Sequence, residues 1–297
     1  MLTIPSPIEN QQGYFDKLFF GKKNTETETP ISSYSIDNSN LTYSEYASDG
    51  LEGVTKTIEF EKRSSEEIKT LISKKTYLFG TDKYGRDLLS RVLVGARISF
   101  FIGFVAVFIS LVIGIFMGSV AGYFGGKTDA LIMWIINVTW SIPTLLLVIA
   151  ITLSLGKGFW QVFIAVGLTM WVEVARVVRG QIISAKEMQY VTAAKALGFN
   201  DFRIITKHIL PNIMAPVIVI SAANFAAAIL IESGLSFLGI GAQPPMASWG
   251  AMIKDHYNYI ILGKPYLALI PGLCIMILVM AFMLIGNALR DALDVKN

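Results

Sequence analysis

Chemically reactive side chains are scarce in this sequence. Its 297 residues include one cysteine, Cys274, and two histidines, His208 and His256. A single cysteine excludes an intrachain disulfide, and two separated histidines provide too few ligands for a metal site. The sequence also shows no Ser–His–Asp arrangement. We therefore expect no catalytic residue, no metal and no cofactor in this chain.

Charge is equally scarce. Only 16% of the residues are charged and 53% are hydrophobic, against about 25% and 45–50% in average soluble proteins. Five stretches without any charge account for most of the difference: residues 98–126, 130–156, 158–172, 209–231 and 265–289. A bilayer span needs about 20 apolar residues. The composition thus excludes a soluble globular enzyme and predicts an integral membrane protein.

The apolar stretches predict an all-α fold, a polytopic membrane helical bundle. Helices and closed β-barrels are the two structures that pair all backbone hydrogen-bonding groups within lipid. Barrel strands alternate apolar and polar residues, whereas these stretches are continuously apolar, so we expect helices. The five predicted spans are residues 98–122, 128–153, 159–179, 212–232 and 266–288. The first contains Gly103, Gly114, Gly118 and Gly122, a spacing that favours close helix–helix contact. Glycine is common in membrane helices, however, and we favour ordinary packing as the interpretation.

The first quarter of the chain is polar instead. Residues 1–76 hold 9 Lys/Arg and 12 Asp/Glu, a net charge of −3, whereas residues 77–297 hold 16 and 10, a net charge of +6. We therefore divide the chain into a polar region, 1–76, and a transmembrane domain, 77–297. Strand-like alternation over residues 54–60 and a helix start at 64–72 leave a loose polar tail and a small folded domain as alternatives. No signal peptide is visible.

Loop charge predicts the orientation, because Lys and Arg accumulate in cytoplasmic loops. If the loop between the third and fourth spans is cytoplasmic, nine basic residues lie inside and, apart from the N-terminal region, three lie outside. The inner nine are Lys127, Arg176, Arg179, Lys186, Lys195, Arg203, Lys207, Arg290 and Lys296, and the outer three are Lys157, Lys254 and Lys264. This orientation places residues 180–211 in the cytoplasm and residues 1–76 outside.

The first span, judged alone, favours the opposite orientation. Six basic residues precede it, and only Lys127 follows it closely. The six are Lys74, Lys75, Lys83, Arg86, Arg91 and Arg97. A further span upstream would reconcile the two charge patterns and explain how the polar region is exported. We therefore expect a first span that this chain lacks.

The loop between the third and fourth spans carries the signals of two short helices. Ser184 followed by Glu187 is a capping-box pattern that opens a helix, and Gly198 suits the left-handed turn that ends one. Asn200 can cap a second helix, which we expect Pro211 to end. On these signals alone, an ordinary linker and a partner-docking element remain equal alternatives.

The same loop matches a motif of a known family. The matching residues are Ala193, Ala194, Gly198, Leu210 and Pro211. They resemble the EAA loop of importer-type ABC permeases, which forms the coupling helix that docks into the ATP-hydrolysing subunit. Thr192 stands where the family has Glu, and His208 where Ile is usual. The resemblance implies that Thr192 and the five matching residues couple loop 184–211 to that subunit.

Three further segments narrow the resemblance to dipeptide and oligopeptide permeases. They resemble three parts of the C-type subunit: the sequence before its second span, its large external loop and its C-terminus. Together with the EAA-like loop, they cover residues 80–297. The motifs are GTDKYGRD at 80–87, SR at 90–91, GAR at 95–97, LSFLG at 235–239, QPP at 243–245, SWG at 248–250 and LRDALD at 289–294.

The resemblance implies a multi-pass subunit of an ATP-driven di- or oligopeptide importer in the cell (inner) membrane. A homologous B-type permease subunit would form the other half of the pathway, as a heterodimer. Two ATP-binding subunits and an extracytoplasmic peptide-binding protein would complete the system, with no nucleic acid. One alternative is the same architecture with another cargo, a nickel or other metal chelate or a small oligosaccharide; a stand-alone secondary transporter is the other.

ATP binding is not expected in this chain itself. Gly126-Lys127-Thr128 ends like a phosphate-binding loop, but Ala121 replaces the first glycine of that motif and no strand precedes it.

Polar side chains within spans are the usual functional candidates. We expect Glu173 and Arg176 to form a structural ion pair near the cytoplasmic end of the third span. Glu232 either stabilises packing or lines the entrance of the pathway, and residues 233–263 form short helices at the outer surface. Candidate interhelical hydrogen bonders are Asn137, Asn224 and Asn287. No residue is assigned as a substrate ligand.

Overall fold

A computed structural model describes residues 1–5, 26–37, 40–47, 53–60, 65–156, 159–241 and 246–293. The chain divides into two compact units. The first comprises Met1–Arg97 and His256–Leu267, and the second comprises Ile98–Asp255 and Ala268–Asn297. The polar region 1–76 lies within the first unit, and its position outside the cell stays a prediction.

The described part of the polar region contains a small sheet structure. Strands β1 (Leu2–Pro5) and β2 (Glu26–Thr29) pair antiparallel, as do β3 (Ile31–Asp37), β4 (Asn40–Glu45) and β5 (Thr55–Glu59) in that order. Helix α1 (Ser65–Thr70) follows. The buried core is formed by Leu2, Leu41, Tyr43 and Ile68. The strand predicted at 54–60 and the helix predicted at 64–72 are confirmed, and the folded alternative holds for this part of the chain.

A tight turn precedes the first membrane helix. Asp82 is buried, and its carboxylate accepts hydrogen bonds from the backbone N–H groups of Tyr84 and Arg86, each at 2.9 Å. The Nε of Arg86 donates to the same carboxylate at 2.7 Å. Asp87 caps the following helix by accepting two backbone N–H groups of its first turn, both at 3.2 Å. The GTDKYGRD motif therefore builds the turn that starts the helix.

The remainder of the described chain is helical, which confirms the predicted fold class. The helices are α2 (Leu88–Phe124), α3 (Gly126–Ser141), α4 (Thr144–Leu155), α5 (Phe159–Lys186), α6 (Gln189–Ala196), α7 (Asp201–Arg203), α8 (Met214–Phe237), α9 (Trp249–His256) and α10 (Tyr266–Leu293). Among the described residues, four helical runs can cross a membrane by length and composition: α2, α5, the run Asp201–Phe237 and α10. The α3–α4 pair qualifies as a fifth, broken span.

The second predicted span is wrong as one continuous helix. α3 and α4 meet at an angle of 94°. Ile142 between them has an extended backbone, with φ −94° and ψ 128°, because the ring of Pro143 disfavours a helical conformation in the residue before it. The apolar stretch 130–156 is consequently two helices joined by a sharp bend.

The backbones of α2 and α5 approach each other closely. A Cβ atom added to Gly118 would lie 2.5 Å from the carbonyl oxygen of Ala175 on α5. A Cβ atom added to Gly114 would lie 2.5 Å from the Cβ of Val174, which is also on α5. The glycines of α2 that leave no room for a Cβ are Gly103, Gly114, Gly118 and Gly122. The close contact that this spacing favours is present, with Gly103 packing against α8 and the other three against α5.

We predict that Gly118→Ala destabilises the membrane unit. The added methyl group overpacks the helix contact, a change that typically costs about 1–3 kcal/mol. The measurement is thermal unfolding in detergent, followed with a thiol-reactive fluorophore on the single cysteine. Gly180→Ala is the matched control, because nothing lies within 4 Å of a Cβ at that position and the gain in helix propensity is the same. Equal melting temperatures for the two variants would contradict the close contact.

Candidate functional site

The loop after α5 starts later than the capping box predicts. Ser184 lies inside α5, where its Oγ donates to the carbonyl oxygen of Gly180 at 3.3 Å. α6 begins at Gln189 with no side-chain cap. The prediction is wrong because α5 continues to its buried residues Ile182 and Ala185, which belong to a core cluster of the second unit.

The predicted end of the first loop helix is confirmed. Gly198 has a φ of 75°, and its N–H donates to the carbonyl oxygen of Lys195 at 2.9 Å. The N–H of Phe199 donates to the carbonyl oxygen of Ala194 at 3.2 Å. These two bonds form a Schellman motif, which requires the left-handed conformation at its glycine. Asn200 then caps α7, as predicted, by accepting from the Arg203 N–H at 2.8 Å.

Pro211 does not end the second loop helix, so that prediction is wrong. After α7 the chain continues through a π-helical turn (Ile204–Ile209) and a 3₁₀ turn (Leu210–Ile213) directly into α8. The altered hydrogen-bond spacing accommodates a residue without an N–H group. Asn212 compensates in part, since its Nδ2 donates to the carbonyl oxygen of His208 at 2.6 Å.

The loop is fixed to the membrane helices by a continuous apolar core. Its buried side chains are Val191, Ala194, Ile204, Ile209 and Ile213, which cluster with residues at the ends of α2 and α5. Tyr123 in the last turn of α2 donates its hydroxyl to Asp201 Oδ1 at 2.6 Å. His208 stacks on Phe199 at a centroid distance of 5.5 Å. The loop is therefore packed from inside and held at its turn by a side-chain hydrogen bond.

The predicted coupling residues divide between two faces. Ala194 is buried in the core just described, and Leu210 is partly buried against it. The outward-facing residues are Thr192, Ala193, Gly198 and Pro211. The structure thus brings only part of the predicted set to the surface, and the role of these residues in coupling stays a prediction.

Two exposed apolar side chains of the loop escaped the sequence analysis. Leu197 is 72% exposed and Phe202 is 76% exposed, on either side of the Gly198 turn. The sequence did contain a signal for them: two large apolar residues among charged residues in a loop between predicted spans. Exposed apolar groups of this kind mark interaction surfaces. We call Leu197 and Phe202 the apolar pair.

The predicted ion pair between Glu173 and Arg176 is wrong. The Nη2 of Arg176 donates to Asn137 Oδ1 at 2.8 Å, and its guanidinium carbon lies 3.7 Å from the ring centroid of Trp140. Asn137 is thus an interhelical hydrogen bonder, as predicted. α5 runs from Phe159 to Lys186, past the predicted span 159–179, so Glu173 lies near the middle of the helix, and its position near the cytoplasmic end of the span stays a prediction.

Glu232 stabilises packing instead of lining an entrance. It is fully buried in α8, and Ser236 Oγ donates to its Oε1 at 2.6 Å. α9 packs directly on this segment, since a Cβ on Gly250 would lie 2.3 Å from the carbonyl oxygen of Ser233. Residues 233–263 contain α9 and a 3₁₀ turn (Tyr257–Ile260), so the predicted short helices are confirmed, and their position at the outer surface stays a prediction. The QPP motif at 243–245 lies outside the described residues.

The remaining polar candidates differ in their surroundings. Asn224 is buried and its Nδ2 has no hydrogen-bond partner among the described residues, whereas Asn287 is exposed. Within the described ranges, no group of three or more His, Cys, Asp or Glu side chains is arranged to hold a metal ion.

Comparison with known proteins agrees with this architecture. The dipeptide transport system permease protein DppC of Bacillus subtilis (strain 168) is 44% identical over 218 residues, which cover 73% of this chain and 68% of that protein. The oligopeptide transport system permease protein OppC of the same organism is 41% identical over 222 residues, covering 75% and 72%.

Solved structures show the same fold. A chain of the MetNI methionine ABC transporter, in an inward-facing conformation, superposes with a TM-score of 0.57 at 18% identity, covering 69% of this chain and 97% of that chain. Residues 110–296 match the family described as binding-protein-dependent transport system inner membrane component. The chain belongs to this family and is a transport permease subunit of the membrane.

Proposed function

We propose that this chain forms half of the pathway of an ATP-driven importer for di- or oligopeptides in the cell (inner) membrane. The single observation that carries the proposal is the loop 184–211, which is packed onto α2 and α5 yet presents an apolar pair to its surroundings. The names of the two Bacillus relatives support peptides as the cargo.

The loop couples the permease to an ATP-binding subunit. Its inner face packs in the core of this chain through residues such as Val191 and Ile204, which are fully buried. Its outer face combines the apolar pair with small or short side chains at Thr192 and Ala193, which permit another surface to approach closely. Exposed apolar groups at the centre of an interface contribute most of its binding energy.

The other partners follow from this assignment. A homologous B-type permease completes the pathway, and two ATP-binding subunits hydrolyse ATP. An extracytoplasmic binding protein delivers the peptide. The excess of Lys and Arg in the loop places it on the cytoplasmic side, where ATP is available.

Stiffness is what this coupling requires, because only a rigid element transmits a displacement to the spans. The Schellman motif at Gly198, the cap at Asn200 and the Tyr123–Asp201 hydrogen bond each restrict the loop. An ordinary linker has no need for three such restraints in succession.

The apolar pair provides the first test. We expect Leu197→Ser combined with Phe202→Ser to weaken association with the ATP-binding subunits about thirtyfold, the effect of losing about 2 kcal/mol at an interface centre. Binding is measured between the purified permease dimer and the ATP-binding subunit. Leu78→Ser is the control, since Leu78 is 82% exposed but lies in the first unit. Unchanged binding by the double variant would contradict docking through this face.

A second test addresses transmission. Gly198→Val forces a β-branched residue into a left-handed conformation, which costs a residue with a Cβ about 1–2 kcal/mol. We expect peptide uptake by the assembled transporter to fall about tenfold or more, while its ATP hydrolysis no longer responds to loaded binding protein. Gly198→Asn is the matched control, because Asn tolerates this conformation and nothing lies within 4 Å of a Cβ there. Wild-type uptake by the valine variant would overturn the coupling assignment.

The cargo is tested by ATP-dependent accumulation in proteoliposomes containing the complete transporter and its binding protein. We expect a labelled peptide such as trialanine to accumulate. Accumulation of a nickel chelate or an oligosaccharide instead of peptides would reject the peptide assignment and leave the importer architecture in place.

A further inference from the structure

A cavity lies beside the break between α3 and α4, within the second unit. Its polar lining residues are Thr139, Thr144, Thr169 and Glu173, and Trp140 of α3 completes the wall together with apolar side chains of α4, α5 and α8. Its volume is about 190 Å³, below the roughly 300–1,000 Å³ of pockets that enclose a whole small ligand. The cavity, which we call the Glu173 pocket, therefore accommodates one end of a molecule.

The carboxylate of Glu173 is unpaired. It makes no hydrogen bond or ion pair with any residue that the structure describes. Arg176, the cation one helical turn away, is held by Asn137 and by the ring of Trp140. The positive charge nearest in sequence is thus fixed against α3, and the negative charge of Glu173 has no counter-ion within the described chain.

Lipid cannot be the environment of this carboxylate. Glu173 is exposed on the single chain, while Val172 and Val174 beside it are buried. It lies 14 residues after Phe159 and 13 residues before Lys186 in α5, so about 20 Å of helix extends on each side. An ionised side chain within a span faces a bundle interior or a water-filled cavity. This face of α5 is therefore turned toward the pathway or toward the second permease subunit.

Two of the three threonine hydroxyl groups of the pocket present acceptors. Thr139 Oγ1 donates its single proton to the carbonyl oxygen of Ile135 at 2.9 Å, and Thr169 Oγ1 donates to that of Val166 at 2.8 Å. A hydroxyl has one donor and two acceptor lone pairs, so both oxygens retain only acceptor capacity. Together with the carboxylate of Glu173, the pocket matches a cationic group that carries several N–H donors.

We propose that the Glu173 pocket binds the α-ammonium group of the transported peptide, with Glu173 as its counter-ion. This inference rests on the proposed peptide cargo. An ammonium group has three N–H donors and no acceptor, which fits the carboxylate of Glu173 and the acceptor oxygens of Thr139 and Thr169. Every peptide with a free amino terminus carries this group whatever its side chains, so the pocket contributes no sequence preference. Broken helices such as α3–α4 commonly frame substrate sites in transporters.

The first experiment measures access and occupancy in the assembled transporter. Glu173→Cys is introduced into a Cys274→Ser background and labelled with a water-soluble, positively charged methanethiosulfonate reagent. We expect labelling, and we expect millimolar trialanine, added directly without binding protein, to slow it severalfold. N-acetyltrialanine lacks the ammonium group and leaves the labelling rate unchanged. Leu168→Cys, on another face of α5, shows no such protection.

Two outcomes overturn the inference in this experiment. Absence of labelling at position 173 means a sealed contact, such as an ion pair with a basic residue of the second permease subunit. Equal protection by both peptides, or protection by neither, means that the pocket does not recognise an ammonium group.

The second experiment uses Glu173→Gln, which keeps the shape and removes the charge. We expect trialanine uptake by the complete transporter to fall about tenfold, the effect of removing one charged hydrogen bond, with unchanged thermal stability. Glu66→Gln, at an exposed position of the first unit, is the matched carboxylate control. Wild-type uptake by the Gln variant would reject the inference.

The two proposals fail in distinguishable ways. If the wild-type transporter does not accumulate trialanine, the peptide cargo itself is rejected. If it accumulates trialanine but position 173 shows neither selective protection nor a loss of uptake in the Gln variant, only the assignment of the pocket is rejected.

Discussion

The backbone contact between α2 and α5 is the constraint on which the membrane unit depends. Gly118 brings the two helices to a separation that a single methyl group would exceed. The same two helices end in Tyr123 and Ile182, and both residues pack in the cluster that holds the loop. Because no layer of side chains separates the two backbones at this contact, we expect α2, α5 and the loop to move together. Under the coupling proposal, a displacement of the loop would then reach the spans.

Two buried carboxylates outside the loop have structural partners. Asp82 is buried, and its carboxylate accepts the hydrogen bonds that form the turn before α2. Glu232 is buried and receives the hydroxyl of Ser236. Neither carboxylate is available to a substrate in this arrangement. Chemistry directed at a substrate is therefore better sought at a polar side chain that is both unpaired and exposed, such as Glu173.

Local signals in the sequence predicted local structure well. Apolar runs located the spans, and Gly198 marked the end of a loop helix because a left-handed turn depends on one residue. The predictions were wrong where contacts with residues distant in sequence decide the structure. Ser184 lies inside a helix that is longer because its end is buried. Arg176 contacts the ring of Trp140 and the side-chain amide of Asn137, 36 and 39 positions earlier in the chain. The break at Pro143 had a signal, the proline itself, which the continuous apolar composition concealed. Pro211 does not end the helix because a π turn and a 3₁₀ turn change the hydrogen-bond spacing, so that no bond requires the N–H group that proline lacks.

One helix joins the two sites that the proposals concern. α5 carries Glu173 at its middle and leads into the loop after Lys186, a separation of about 20 Å along a straight helix. Thr169, Met170 and Glu173 of α5 form one side of the Glu173 pocket, so a movement of α5 relative to α3, α4 and α8 would change the surroundings of the carboxylate. Under the two proposals, the ATP-binding subunits would displace the loop and α5 with it. A counter-ion on this helix would then bind the ammonium group in one state and release it in the next.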